Sequence, residues 1–115
     1  MTLQPPTPFQ LPDNRFEQVC FDRRELGHIL AVYGRMVALG EWRDYGISAL
    51  REFAVFSIFR RTTEFPLYRI EKRPKLRLKQ GMYSVVAVDG QILRRGPDLA
   101  RVLQVLEIKT IRQID

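Results

Sequence analysis

The chain has 115 residues and a formal net charge of +6, with 45% hydrophobic and 28% charged residues. This is enough for one domain with its own core and too little for two. No apolar run approaches the roughly 18 residues that a membrane-spanning helix needs, the start of the sequence lacks a secretory signal pattern, and a single cysteine, Cys20, excludes an internal disulfide framework. We therefore expect a cytoplasmic protein.

The first predicted elements are a tail, a short strand and a helix. Residues 1–14 contain four of the seven prolines and no apolar period, which predicts a flexible tail before a single domain over 15–115. A short strand is predicted from Phe16 to Phe21, with Cys20 as a small core residue rather than a nucleophile. Asp22 as N-cap with Glu25 three residues later is typical of a capping box that begins a helix.

The first helix is expected to bury one face and to end at Gly40. Gly27 and Gly34 lie seven residues apart within it, and close packing against a sheet or another backbone is the simplest reason for them. His28, the single histidine, is interpreted as a surface imidazole. Apolar side chains at helical spacing predict the buried face, and they are Leu26, Ile29, Leu30, Tyr33 and Val37.

The middle of the chain predicts strands. The segment GEWRDYGISAL has no clean period, so Trp42 and Tyr45 are expected to cover an edge of the core, with a short helical turn as one option over 48–52. Residues 53–59 are apolar on both alternating faces, which is typical of a central strand. Residues 67–73 alternate in character, and 75–79 are expected to continue the strand after Pro74, with Leu76 and Leu78 pointing inward.

Asp89-Gly90 lies between two alternating segments and predicts a two-residue type I′ turn. That turn would pair Val86 with Leu93 and Val85 with Arg94. Gly96-Pro97 would then open a second helix with proline at its first position. Its predicted buried stripe is Leu99, Val102, Leu103 and Leu106. Together these elements predict a two-layer α+β domain, in which an antiparallel β-meander packs with an N-terminal and a C-terminal helix.

Residue types that support catalysis are scarce. One histidine and one cysteine do not make a standard zinc site without carboxylates, and no carboxylate pair lies at metal spacing near them. None of the three serines has the context of a nucleophile elbow, and GQILRRG lacks the ending of a phosphate loop. We expect a protein that is not an enzyme and has no metal and no cofactor.

The positive charge is confined to one window. Residues 60–79 carry eight cations against Glu64 and Glu71, a net charge equal to that of the whole chain. Because a local excess of charge is a field with a direction, we predict that the window binds an anionic partner, with RNA or DNA foremost and an acidic protein surface next. The predicted binding residues are Arg60, Arg61, Arg69, Lys72, Arg73, Lys75, Arg77 and Lys79.

Two readings of this window stay open from the residues alone. Tyr68 and Tyr83 would serve as stacking platforms for a single strand, or they belong to the core, because each falls on an alternating strand face. The cations themselves would equally suit the solvated face of a sheet. The alternative function is a protein-interaction or accessory subunit of a larger bacterial complex, which would dock through the proline-rich tail and the Trp42 and Tyr45 region.

Several sequence segments between residues 21 and 106 resemble those of a known family. The most distinctive are GEWRDY and YRIEKRPKL, together with FDRREL, AVFSIFRR, QGMYSVV and ILRRGPDLARVL. In these the chain resembles an uncharacterised alphaproteobacterial family catalogued as domain of unknown function 2794. The resemblance implies a cytoplasmic bacterial protein and supplies no catalytic residue, cofactor or partner.

Overall fold

A computed structural model describes residues 17–61 and 65–114, the last six as backbone alone. The predicted tail over 1–14 lies outside these residues. Two α-helices flank five strands that pair antiparallel in the order β1-β2-β3-β4-β5, so the predicted α+β meander is confirmed. The elements are α1 Arg23–Ala38, β1 Asp44–Ala49, β2 Ala54–Phe59, β3 Tyr68–Lys72, a 3₁₀ turn Pro74–Leu76, β4 Tyr83–Ala87, β5 Ile92–Gly96 and α2 Leu99–Ile114.

Helix α1 begins and ends as its sequence predicts. The Glu25 N–H donates to Asp22 Oδ1 and the Asp22 N–H donates to Glu25 Oε1, each over 2.8 Å, which completes the capping box. At the other end, Gly40 has φ +78°. Its N–H bonds to Val37 O, and the Glu41 N–H bonds to Met36 O. This pairing is a Schellman motif, which needs the left-handed conformation that glycine adopts at low cost.

The buried face of α1 is rotated from the predicted one. Leu30 and Val37 were predicted inside but are 40% and 41% exposed. Gly27 and Gly34 are exposed, and a Cβ on either would meet nothing within 4 Å, so close packing at these glycines is wrong. The buried positions follow a 4-3-4 spacing that includes a carboxylate, which a count of apolar residues passes over; they are Glu25, Ile29, Val32 and Met36.

The predicted strand before α1 is absent from the described residues 17–22. A single bond joins this segment to the sheet, from the Val19 N–H to Leu50 O. Cys20 is exposed rather than a core residue, so that prediction is wrong as well.

β1 is an edge strand that the sequence did not predict, and it replaces the helical turn considered for 48–52. It pairs with β2 in continuous register, from Asp44 with Phe59 to Ala49 with Ala54. Trp42, just before it, is buried, whereas Tyr45 is 42% exposed. The Tyr45 ring stacks on Phe56 with centroids 4.8 Å apart, so both aromatic side chains do cover an edge of the core.

The two faces of the sheet differ in what covers them. One, the core face, contributes Phe56, Ile58, Ile70 and Val85 to a single buried cluster that also contains the buried stripes of both helices. The predicted α2 stripe from Leu99 to Leu106 is part of that cluster and is confirmed. Neither described helix packs on the other face, which we call the open face.

The connection between β3 and β4 is a turn and not the predicted strand continuation. Leu78 is 88% exposed instead of inward. Pro74 cannot donate to a ladder, and the N–H groups of Lys79, Gln80 and Gly81 all bond to Leu76 O. Gly81 has φ +101°, and a Cβ there would lie 2.5 Å from the carbonyl carbon of Gly96. This glycine therefore lets the turn contact β5.

The β4–β5 hairpin has three loop residues, 88–90, where two were predicted. The Gly90 N–H bonds to Ala87 O and the Ala87 N–H to Gln91 O. Gly90 has φ +88°, which fits a type I turn followed by a glycine bulge. Val86 pairs with Ile92 rather than Leu93, and a bulge then restores the predicted pairing of Val85 with Arg94.

The start of α2 differs from the prediction by two positions. Asp98 is the N-cap, since its backbone O accepts from the Val102 N–H and its Oδ1 from the Arg101 N–H. Pro97 therefore precedes the cap instead of occupying the first helical position. The helix runs on to Ile114. Within the described parts of the chain, neither helix has the length and apolar content needed to cross a bilayer.

Candidate functional site

Strand β3 directs the charges of the basic window to opposite sides of the sheet. Arg69 and Glu71 alternate with Ile70 and Lys72, and the strand pairs in register with β2 and β4. The predicted alternation is confirmed. Its consequence is that Lys72 lies on the core face, whereas Arg69, Glu71 and Arg73 lie on the open face, so the window is not one continuous cationic surface.

Lys72 is held on the core face by a buried carboxylate. Its Nζ donates to Glu25 Oε1 and to the backbone O of Cys20, both over 2.8 Å, and its side chain is only 14% exposed. Glu25 is also the capping-box residue of α1 and accepts a hydrogen bond from the Tyr83 hydroxyl. Sequence reasoning identified Glu25 only as a cap and Lys72 only as a surface cation.

The Glu25 cluster is saturated with internal bonds. Burial, and then the hydrogen bond and charge of Glu25, raise the pKa of the Tyr83 hydroxyl above its ordinary value of 10.0. Tyr83 thus stays protonated and acts as a donor. The cluster fastens α1 to β3 and β4, and both carboxylate oxygens are used.

A cavity of about 450 Å³ adjoins this cluster and is lined in part by Asp22, Glu25, His28 and Asp98. His28 is exposed, as predicted. Among the described residues it has no hydrogen bond to a carboxylate or a nucleophile, and no group of three or more metal-ligating side chains could hold an ion. The described residues that line the cavity include no serine, threonine or cysteine, the usual nucleophiles of acyl transfer.

On the open face, two guanidinium groups share one carboxylate. Arg69 Nε lies 3.4 Å from Glu71 Oε2, and Arg73 Nε lies 3.0 Å from Glu71 Oε1. The Glu71 side chain is 9% exposed, whereas the arginine side chains are 35% and 36% exposed. The Arg73 guanidinium also lies over the Phe53 ring, 3.9 Å from its centroid. The group carries a net positive charge that faces water.

The other predicted cations lie at the two ends of the sheet. Arg60 is 3.9 Å from Glu41. Lys75 bonds to Glu52 over 2.8 Å, and that hydrogen bond lowers the pKa of the Glu52 carboxyl. Both pairs are at the surface, where such contacts stabilise little. No carboxylate partner is found within the described residues for the exposed side chains of Arg61, Arg77 and Lys79.

The two tyrosines proposed as stacking platforms belong to the core. Tyr68 and Tyr83 are both buried on the core face, so the core interpretation is confirmed. The aromatic residue of the basic window that faces water is Phe65, which is 86% exposed. Sequence reasoning missed it because it precedes Pro66 in a connection without a period.

Arg95 is a further cation of the open face. Glu71 pairs with Ser84, and Ser84 pairs with Arg95, so their side chains form one row across three strands. Arg95 Nη1 donates to Gln80 Oε1 of the β3–β4 turn. The predicted pairing of Val85 with Arg94 already implied this row, but Arg95 lies outside the window of charge excess and was passed over.

The model of a family described as "Protein of unknown function (DUF2794)" matches residues 19–103 of the chain. That range includes β3, the open-face arginines and the Glu25 cluster. No curated protein and no solved structure matches.

Proposed function

We propose that this chain, which belongs to the DUF2794 family of proteins of unknown function, is a small non-catalytic domain that binds a polyanion. The partner that fits best is a single strand of RNA or DNA. A cytoplasmic location is part of the proposal, because an exposed free thiol such as Cys20 persists in a reducing compartment.

The observation that carries the proposal is the sharing of Glu71 between Arg69 and Arg73 on the open face. A carboxylate that is nearly buried orients both guanidinium groups, yet it neutralises only one of the two charges. Guanidinium groups bind phosphate through parallel N–H donors in a planar fork. Partly ordered, partly exposed arginines of this kind lose less side-chain entropy on meeting a phosphate than free ones would.

The binding surface is narrower than the window of charge. Lys72 does not belong to it, because its ammonium is used by Glu25. Arg77 and Lys79 extend it at one end of β3, and Arg60 and Arg61 at the other. The five residues of β3 span roughly 16 Å at about 3.3 Å per residue, which is enough for several phosphates of an extended strand.

Phe65 supports a single strand over a duplex. Proteins that bind single strands combine cationic tracks with exposed aromatic rings on which bases stack, at about 1–3 kcal/mol per base. Phe65 lies within the basic window and is almost wholly exposed. A duplex would offer its phosphates but not its base faces to this ring.

The proposal is tested by the salt dependence of binding to a short single-stranded oligonucleotide. Arg69→Ala/Arg73→Ala should weaken binding and make the negative slope of log affinity against log salt less steep by about 1–2. Each phosphate contact on a single strand releases about 0.7 of a counterion, and the variant loses two such contacts. Arg23→Ala/Arg24→Ala, at the exposed start of α1 on the other side of the sheet, is the charge-matched control. A double variant that binds with wild-type affinity and slope would refute the proposal.

Glu71→Gln tests the same surface with an effect of opposite sign. The glutamine amide is nearly isosteric with the carboxylate but carries no charge. Without the negative charge of Glu71, both guanidinium groups are free to bind phosphate. We expect tighter binding and a steeper salt slope than in the wild-type protein. Because misfolding weakens binding, a gain in affinity separates a role in binding from a role in folding.

A protein partner remains the second candidate, and the edge of β1 favours it. Tyr45 and Ile47 are 42% and 49% exposed on a strand whose outer side is unpaired among the described residues. Trp42, named as part of this docking region, is buried and is not available. Purification of the tagged protein with and without nuclease distinguishes the candidates, since nuclease should release partners held through nucleic acid and retain those that bind at β1.

A further inference from the structure

A second cationic feature lies at the junction of β5 and α2, outside the window in which the sequence concentrates its charge. Arg94, Arg95 and Arg101 line one cavity of about 360 Å³. Its size is at the lower end of the roughly 300–1,000 Å³ that is typical of small-ligand sites. We propose that this cavity is a binding site for a phosphate group.

The charges around the cavity are uncompensated. None of the three arginines has a carboxylate within ion-pairing distance in the described part of the chain, in contrast to Arg69 and Arg73. Among the described residues, the recorded side-chain hydrogen bond of Arg95 goes to the neutral amide of Gln80. Arg95 belongs to the open-face row and directs its guanidinium to Gln80. Arg94 and Arg101 are therefore the lining cations without a side-chain partner among the described residues, and an oxyanion bound beside them reduces their mutual repulsion and accepts their N–H donors.

Of the described residues that line this cavity, Asp98 is the acidic one, and its charge opposes an anion there. Its Oδ1 faces the backbone N–H of Arg101 as the cap of α2, at 3.4 Å. The carboxylate is therefore turned toward the helix and is not paired with a guanidinium group. Asparagine caps a helix about as well as aspartate, so the negative charge of Asp98 can be removed without loss of the cap.

The decisive experiment is calorimetric titration of the full chain with inorganic phosphate. Arg94→Ala/Arg101→Ala should weaken binding at least tenfold, a change of about 1.4 kcal/mol, whereas Arg43→Ala at the opposite edge of the sheet should bind like wild type. Asp98→Asn should bind phosphate more tightly than wild type. A urea melt of each variant checks that it is folded.

Two results would overturn the inference: wild type that takes up no phosphate at millimolar concentration, or a double variant that binds it as Arg43→Ala does. The source of the phosphate is identified by competition. Displacement by an oligonucleotide without terminal phosphates indicates a phosphodiester, and displacement only by a mononucleotide indicates a phosphomonoester. Failure of this inference and failure of the proposed function are distinguishable, because phosphate binding is tested in the Arg94/Arg101 variant and polyanion binding in the Arg69/Arg73 variant.

Discussion

Two carboxylates, Glu25 and Glu71, are equally buried, each at 7% exposure, on opposite faces of the same sheet. Glu25 is neutralised by Lys72, which is itself withdrawn from solvent, and by the Tyr83 hydroxyl. Glu71 is neutralised by Arg69 and Arg73, which remain about one-third exposed. The hydrogen bonds of Glu25 are made to partners that are themselves buried. The partners of Glu71 are arginines whose remaining N–H donors face water.

The difference shows how adjacent residues of one strand acquire different roles. Glu71 and Lys72 are neighbours in sequence, but the alternation of a strand directs them to opposite faces. On the core face a charge is tolerated only when its bonding is complete, because burial of an unpaired charge is costly. On the open face water solvates a charge that is only partly paired, so Arg69 and Arg73 together keep one positive charge beyond that of Glu71. Local charge density in the sequence therefore overstates the cationic surface by including Lys72.

The largest expected effect is a contrast in stability between the two carboxylates. Glu25→Ala should lower the free energy of unfolding by about 4 kcal/mol, because it removes the capping box and leaves Lys72 buried without a counterion. Glu71→Ala should cost about 1 kcal/mol, since both guanidinium groups can turn to solvent. Urea melts of both variants measure the contrast. Equal losses would mean that the two clusters are equally structural.

Gly81→Ala should have the next largest effect, about 3 kcal/mol. The turn that carries Arg77 and Lys79 contacts β5 through this glycine. A Cβ would overlap the Gly96 backbone at 2.5 Å and would force a side chain into φ +101°. Gly46→Ala is the matched control in a strand, since its Cβ meets nothing within 4 Å. A urea midpoint for Gly81→Ala equal to that of the control would exclude the close contact.

What the sequence predicted correctly depends on interactions between near neighbours. The capping box of Asp22 and Glu25 spans three residues, and the stripe from Leu99 to Leu106 spans two helical turns, so both leave a local pattern. β1 leaves none, because its strand conformation comes from pairing with β2. The contact of Glu25 with Lys72 joins positions 47 apart, and no local spacing encodes it.

The hairpin shows an intermediate case. Asp89-Gly90 correctly marks the turn, but glycine with a positive φ serves a two-residue or a three-residue loop equally well. With a three-residue loop, Val86 pairs with Ile92 instead of Leu93. The bulge at Leu93 then restores the register that a two-residue loop would have given. The functional consequence is small, since Val85 still pairs with Arg94 and Arg95 still reaches the open face.

Tyr83→Phe should lower the free energy of unfolding by about 2 kcal/mol at neutral pH, since it removes a hydrogen bond to a charged acceptor. The folded state raises the pKa of Tyr83 above 10.0. The stabilisation is therefore complete below pH 10 and is lost as pH rises toward the folded pKa, because the unfolded chain ionises first. Urea melts at pH 8 and pH 11 should show the gap between wild type and variant closing. A constant gap would contradict the link to Glu25.

The smallest expected effect is a gain from Gly34→Ala. Gly34 is exposed in the interior of α1, its φ is not positive, and an added Cβ meets no atom within 4 Å. Alanine should therefore stabilise the helix by about 0.5–1 kcal/mol through lower backbone entropy in the unfolded chain. A higher urea midpoint at unchanged slope is the expected result. A lower midpoint would indicate a packing role for this glycine.

Gly34→Ala also provides a more stable background in which the contributions of Lys72 and Arg69 to oligonucleotide binding can be compared. Lys72→Ala leaves Glu25 buried without its cation and is expected to unfold part of the population, which would reduce binding for a trivial reason. In the Gly34→Ala background, a larger fraction stays folded. Lys72→Ala should then bind a single-stranded oligonucleotide with the affinity of its parent, whereas Arg69→Ala should not. An equal loss of oligonucleotide affinity in Lys72→Ala and Arg69→Ala would mean that Lys72 belongs to the binding surface. The assignment of the two residues to different roles on the two faces would then be wrong.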